Sequence, residues 1–225
     1  MDSISDRAVA DYHALVRDDE ALAQELEERF FARMRERDLT FGGRMLCSFA
    51  RPNLVSPAVY GQIGDVCRGI FQAIEKVEAA LGTELWDRVD MRPEERELAG
   101  LNSGYRRSSP LARLDSFVTP SSYQYVELNA ETPAGSSYAD RLAEVFLEMP
   151  VVRRFQERWS LRPFHTGRRL LATLIGCYRE ARGQEERPAI AVVDYDDVPT
   201  RVEHHMAREY FESQGYPTLV CDPRH

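Results

Sequence analysis

Lysine is almost missing from this chain: Lys76 is the single lysine, and every other member of its 29 basic residues is arginine, a bias that a GC-rich genome would also produce. Cysteine is sparse too. Cys47, Cys67, Cys177 and Cys221 lie far apart and form no Cys-x-x-Cys, which argues against a zinc site and a disulfide framework and leaves reduced thiols. No apolar run approaches the roughly 20 residues that span a bilayer. The opening stretch "MDSISDRAVADYHALVRDDEALAQ" has neither a basic nor an apolar leader region, so a cytoplasmic protein without a membrane partner is expected. Excess positive charge is also absent. With a net charge of -8 the summed field repels phosphate backbones, which excludes a nucleic-acid partner. There is no internal repeat and no low-complexity linker.

What is present suits a mixed α/β protein. Its 225 residues, 43% of them hydrophobic, suffice for one large domain or two small ones. Residues 5 to 37 have helical periodicity with a break near Asp18-Asp19-Glu20, where acids favour a new helix N-terminus. After Gly42-Gly43 the spacing predicts a long helix with Ser56 as N-cap, Pro57 at its first position and Gly82 at its end. Val59, Ile63, Val66, Ile70, Ile74, Val77 and Leu81 recur at three- and four-residue intervals, which predicts that this helix lies against a core. Two short helices are expected within 83 to 100. Helices are also expected over "SSYADRLAEVFLEMP", over 150 to 158 and over "TGRRLLATLIGCYREARG". The tail "PAIAVVDYD", "PTRVEHHMAREYFESQG", "YPTLVC" reads as the start of a parallel βαβ unit. Such a pair cannot cover both its faces, so either strands from earlier in the sequence complete the sheet or the chain is a fragment, and a fragment is expected.

The chemistry lies in the centre, "RLDSFVTPSSYQYVELNAETPAG". Simple alternation puts Gln124, Val126 and Leu128 on one strand face and Tyr125, Glu127 and Asn129 on the other, with alternate alpha carbons about 6.5 to 7 Å apart. Val126 and Leu128 are expected to anchor the strand in the core. "RLDSF" offers an antiparallel partner with "TPSS" as the turn. With an odd-length loop Asp115 falls opposite Glu127 and Arg113 opposite Asn129; an even loop sends Asp115 to the wrong face. Carboxylates directly opposed across a hairpin repel unless a cation lies between them. Asp, Glu and an Asn carbonyl are hard oxygen ligands of the kind Mg²⁺ takes when it also holds phosphates, and a neighbouring guanidinium suits a phosphoryl oxygen. The same four residues would also serve as the solvent face of an edge strand, with Arg113 and Asp115 as an ordinary ion pair.

"RLDSF" followed by "YVELNAETPAG" resembles the circularly permuted ATP-grasp family, the glutathionylspermidine synthetase-like proteins. That family pairs Arg-x-Asp on one strand with Glu-x-Asn on the next, and Arg113, Asp115, Glu127 and Asn129 match in type and spacing. The run from Asn129 through Glu131 and Thr132 to Pro133 matches as well, and "ARPNLVSPAVYGQI" is similar to the family's lead into its first long helix. The resemblance covers mainly residues 45 to 145. It implies the N-terminal part of a permuted ATP-grasp fold. Residues 1–160 would form a helical region plus the Mg-binding hairpin, and 161–225 the start of an α/β substrate domain. It also implies the first half of an ATP-dependent ligase that joins a carboxylate to an amine through an acylphosphate. Asp115, Glu127 and Asn129 would hold Mg²⁺ on ATP, Arg113 would act in catalysis and Thr132 would meet the carboxylate substrate. Ala134 stands where glutathione-using relatives place a hydroxyl, which argues against a glutathione-type substrate. The family's phosphate lysines and adenine hinge belong to its second half, so a C-terminal half or complementary chain is expected as partner and this chain alone is expected to be inactive. A non-catalytic binding subunit is the rival.

Three further signals are weaker. Arg106 and Arg107 in "GYRRSSP" are secondary candidates for an acidic substrate. Glu203 with His204 and His205 is expected on a surface helix, because adjacent histidines point about 100° apart and chelate poorly together. "VVDYDDVPT" sits where a dinucleotide site would, but it has no Gly-x-Gly-x-x-Gly.

Overall fold

Nine helices and three small separate sheets, 55% helix in all, build the residues described by the computed structural model: 2–107, 109–119, 122–130, 132–183 and 187–225. Local chemistry explains the first boundaries. Asp2 caps α1 (Ser3–Asp18) by accepting from the Ser5 amide at 2.9 Å, and Asp19 caps α2 (Glu20–Glu36) by accepting from the Leu22 amide at 3.1 Å. Gly42 and Gly43, at φ 56° and 77°, make the two-residue turn between β1 (Thr40–Phe41) and β2 (Arg44–Met45); both positions need the left-handed region that glycine enters freely. Ser56 caps α3 (Pro57–Leu81) through the Val59 amide at 3.1 Å. The Ser56 hydroxyl also donates to Asp2 at 2.7 Å, which ties the starts of α1 and α3 together.

Two short helices follow, α4 (Glu84–Arg88) and α5 (Pro93–Ala99), and then the antiparallel pair β3 (Arg113–Val118) and β4 (Tyr123–Asn129). The chain continues through α6 (Ser136–Glu148), α7 (Pro150–Gln156) and α8 (Thr166–Arg182) to β5 (Ile190–Val193), α9 (Arg201–Ser213) and β6 (Thr218–Cys221). β5 and β6 are parallel, with Ile190 opposite Thr218 and Val193 opposite Cys221, so the tail forms the βαβ unit read from its sequence.

The main core joins α1, α2, α6 and α7. Phe30, Met34, Val145 and Val151 are fully buried there, and the Tyr12 hydroxyl donates to the Ala50 carbonyl at 2.8 Å. A second cluster gathers Leu171, Ile175, Ala207 and Phe211 between α8, α9 and β5. Neighbours Met206 and Ala207 serve different clusters, so α9 packs against both.

The expectation for α3 fails. Only Val59 is buried along its 25 residues, and Val66, Ile74 and Val77 are exposed. Its apolar stripe is real, but periodicity identifies a face and not the element that covers it. Total accessible surface is 15215 Å². A compact monomer of this mass would expose about 10,500 Å². Part of the excess is apolar surface on α3, on the hairpin at Phe117 and Val126, and on β6 at Leu219. No helix among the described residues is long and apolar enough to cross a membrane.

Candidate metal and phosphate site

The four central residues share one face of the β3/β4 hairpin, by a route different from simple alternation. Val118 pairs with Tyr123, so the connecting loop spans four positions, an even number. Pro120 and Ser121 of the expected "TPSS" turn lie outside the described residues; Thr119 and Ser122 close it, the Thr119 amide donating to the Ser122 carbonyl at 2.9 Å. Unbroken pairing would therefore have misplaced Asp115. A β-bulge corrects it. Ser116 pairs with Tyr125 and Asp115 with Glu127, leaving Val126 as the extra residue.

From the bulge onwards Asp115 stands opposite Glu127 and Arg113 opposite Asn129. The bulge also separates Tyr125 from Glu127, since cross-strand partners share a face. Tyr125 belongs with Ser116 on the face towards α3, where its hydroxyl lies 3.2 Å from the Cys67 thiol. Val126, expected in the core, is 62% exposed because it is the unpaired bulge residue.

The face itself is a small ionic cluster. The Arg113 guanidinium is 3.3 Å from Asp115 Oδ1 and 4.0 Å from Glu127 Oε1, and Asn129 donates its side-chain amide to Glu127 at 2.9 Å. That donation, and to a lesser extent the field of Arg113, holds the Glu127 carboxyl below the usual carboxylate range. All three charged side chains remain open to solvent, between 44% and 57% exposed. Two ionised carboxylates against one guanidinium leave the face with a net negative charge. Phosphates would be repelled unless a divalent cation came with them.

The donor set fits Mg²⁺, which needs only one or two carboxylates when it retains water and substrate phosphates. It does not amount to an all-protein metal cage: no group of three or more His, Cys, Asp or Glu suited to a metal occurs among the described residues.

The turn after β4 is fixed from another part of the chain. Arg113 donates to the Ala134 carbonyl at 3.0 Å. Glu203, in the first turn of α9, accepts from the Gly135 amide with both oxygens at 2.8 Å and from the Ser137 amide at 2.9 Å. A buried carboxylate thus satisfies orphan donors at the N-terminus of α6 and sits where the helix dipole favours negative charge. Gly135 takes φ 121°, closed to most side chains. Thr132 has φ 23°, an unusual value for a β-branched residue, and its side chain is exposed. Glu131, part of the family-like run, lies outside the described residues.

Glu203 was missed as a site residue. It was expected on a surface helix, yet it is only 6% exposed, and the His204 side chain is 16% exposed and 3.7 Å from Asp194. The available signal was its position: Met206, Ala207 and Tyr210 follow at three, four and seven residues, so Glu203 occupies the apolar stripe of α9.

The secondary candidates are not part of this cluster. Arg106 is held by Glu180, to which its backbone amide donates at 3.0 Å and its guanidinium at 2.8 Å. Arg107 is exposed beside it, along a groove that Glu75, Glu78 and Glu180 also line. Lys76 is exposed on α3. In the tail, Asp222 takes the Asp196 amide at 2.9 Å and the Arg224 guanidinium, so its carboxylate is already occupied. Compared with family models, with curated proteins and with solved structures, the chain matches none.

Proposed function

We propose that this chain carries the magnesium- and phosphate-binding half of an ATP-dependent carboxylate-amine ligase built on a circularly permuted ATP-grasp fold. The observation that supports this reading is the cross-strand register. Arg113, Asp115, Glu127 and Asn129 meet on one solvent-open face, and a bulge at Val126 is what brings Glu127 opposite Asp115. The Arg113–Glu127 ion pair uses the same register, so metal binding is what separates the two readings.

Asp115, Glu127 and Asn129 are the residues that would hold Mg²⁺, which neutralises the β- and γ-phosphates when bound. Arg113, fixed in direction by the Ala134 carbonyl, donates to the phosphoryl group as it passes from ATP to the substrate carboxylate. The carboxylate oxygen forms a bond to the γ-phosphorus as the bond to the ADP oxygen breaks. An amine then displaces phosphate from the acylphosphate. Thr132 would orient the carboxylate substrate beside the metal face, and Arg106 and Arg107 would be secondary contacts for an acidic group. Adenine and the remaining phosphate contacts need a second lobe, supplied by a further segment or a complementary chain.

The near absence of lysine and the open apolar faces of α3 and the hairpin favour a second reading, a binding subunit that retains the metal face without turnover. Calorimetry of Mg²⁺ with ATP separates these ideas from the edge-strand alternative. Binding should require Mg²⁺ and be lost in Asp115→Asn and Glu127→Gln. Equal affinity in both variants would refute the proposal. ADP release on adding candidate acids and amines then distinguishes ligase from binding subunit.

A further inference from the structure

An apolar cavity of about 480 Å³ lies between α6, the loop ahead of α3 and the segment 161–166 that leads into α8. Leu54, Phe146, Leu147 and Leu161 form much of its wall. Tyr60 and Phe164 stack there with ring centroids 4.7 Å apart, yet remain 39% and 45% exposed, so aromatic surface is left facing open space. The volume falls in the range of small-molecule sites.

Its charge is one-sided. Among the described residues the charged side chains lining it are Arg162 and Arg169, with no acid beside them, although the chain carries a net charge of -8. Arg169 donates to the Tyr60 hydroxyl at 3.2 Å, and neither guanidinium meets a carboxylate among the described residues. A guanidinium beside an apolar wall finds its best complement in a ligand with a hydrocarbon body and a planar anionic head.

We propose that this cavity binds a small apolar carboxylic acid, its body against Phe164, Tyr60 and Leu147 and its carboxylate on Arg162 and Arg169. No residue of β3 or β4 lines the cavity, so the site does not depend on the ligase reading. Loss of metal binding in hairpin variants would leave it unchanged.

The probe is 4-phenylbutyrate, titrated into the full chain and followed by amide chemical shifts and calorimetry. Saturable binding with a dissociation constant of about 0.1–1 mM is expected for a ligand of this size. The Arg162→Gln/Arg169→Gln double variant should bind about tenfold more weakly. Uncharged 4-phenylbutanol should bind the wild type as weakly as the acid binds that variant. Ala139 is exposed on the wall, so Ala139→Trp should fill the cavity and abolish binding while leaving the urea midpoint unchanged. The proposal is overturned if the acid fails to saturate, if acid and alcohol bind equally, or if Ala139→Trp binds normally. Self-association that Ala139→Trp blocks, without acid binding, would assign the cavity to a second copy and overturn it too.

Discussion

Replacing Glu203 by alanine should destabilise the protein by more than its place on a helix surface would imply. The carboxylate is buried and satisfies the Gly135 and Ser137 amides at 2.8 to 2.9 Å. Each amide left without a partner costs about 1–1.5 kcal/mol. Loss of a negative charge at the start of α6 adds up to about 1 kcal/mol, so the sum is about 2–4 kcal/mol. Glutamine keeps one acceptor oxygen but loses the charge and turns its amide nitrogen towards a donor, which should cost about 1.5–2 kcal/mol. Urea unfolding measures both, as a lower midpoint at unchanged slope. Hydrogen exchange gives the local readout, because the Gly135 and Ser137 amides should lose protection before the core does. If Glu203→Ala costs less than about 1 kcal/mol and both amides stay protected, the carboxylate does not hold this turn and the reasoning is wrong.

Other expectations follow from the hairpin and the core. Deleting Val126 removes the bulge residue and makes Glu127 follow Tyr125 directly, so regular pairing should keep Glu127 opposite Asp115; Mg²⁺-dependent binding and the cross-strand contacts from Ser116 to Val118 should both persist, the latter by nuclear Overhauser spectroscopy, and loss of binding would contradict the register assigned to the face. Glu127, held below its ordinary value of 4.5 chiefly by Asn129, should titrate below that value, and Asn129→Ala should move its midpoint upward. The sign follows from the lowered pKa: ionised Glu127 favours the folded hairpin above the unfolded carboxylate pKa, and that contribution is lost as pH falls through the lowered folded value. An unmoved midpoint would remove the assigned cause. Phe30→Ala, at a fully buried position in the main core, should cost about 3–5 kcal/mol in urea unfolding, and a loss below about 1 kcal/mol would contradict the packing described.

Helix boundaries were legible wherever a cap or a breaker marked them, as at Asp19, Ser56 and Gly82, because those effects act over a few residues. The sharing of a face by Arg113, Asp115, Glu127 and Asn129 was legible only under an odd loop; the loop is even, and the bulge that restores the shared face has no mark in local spacing. A bulge keeps the residue types of regular alternation while shifting the pairing by one, so Val126 read as a core residue. Whether the α3 stripe is covered depends on neighbours that local spacing does not specify. Glu203 was hidden by distance, since its partners lie 66 and 68 positions earlier in the chain.

The central claim is that the hairpin face holds a divalent cation together with phosphate. Titrating Mn²⁺ with ATP into the isotopically labelled chain tests it most directly, because paramagnetic broadening reports which nuclei are near the metal. Broadening should centre on Asp115, Glu127, Asn129 and the Arg113 side chain and be abolished in Asp115→Asn/Glu127→Gln. Broadening centred elsewhere, or unchanged in that variant, would contradict it.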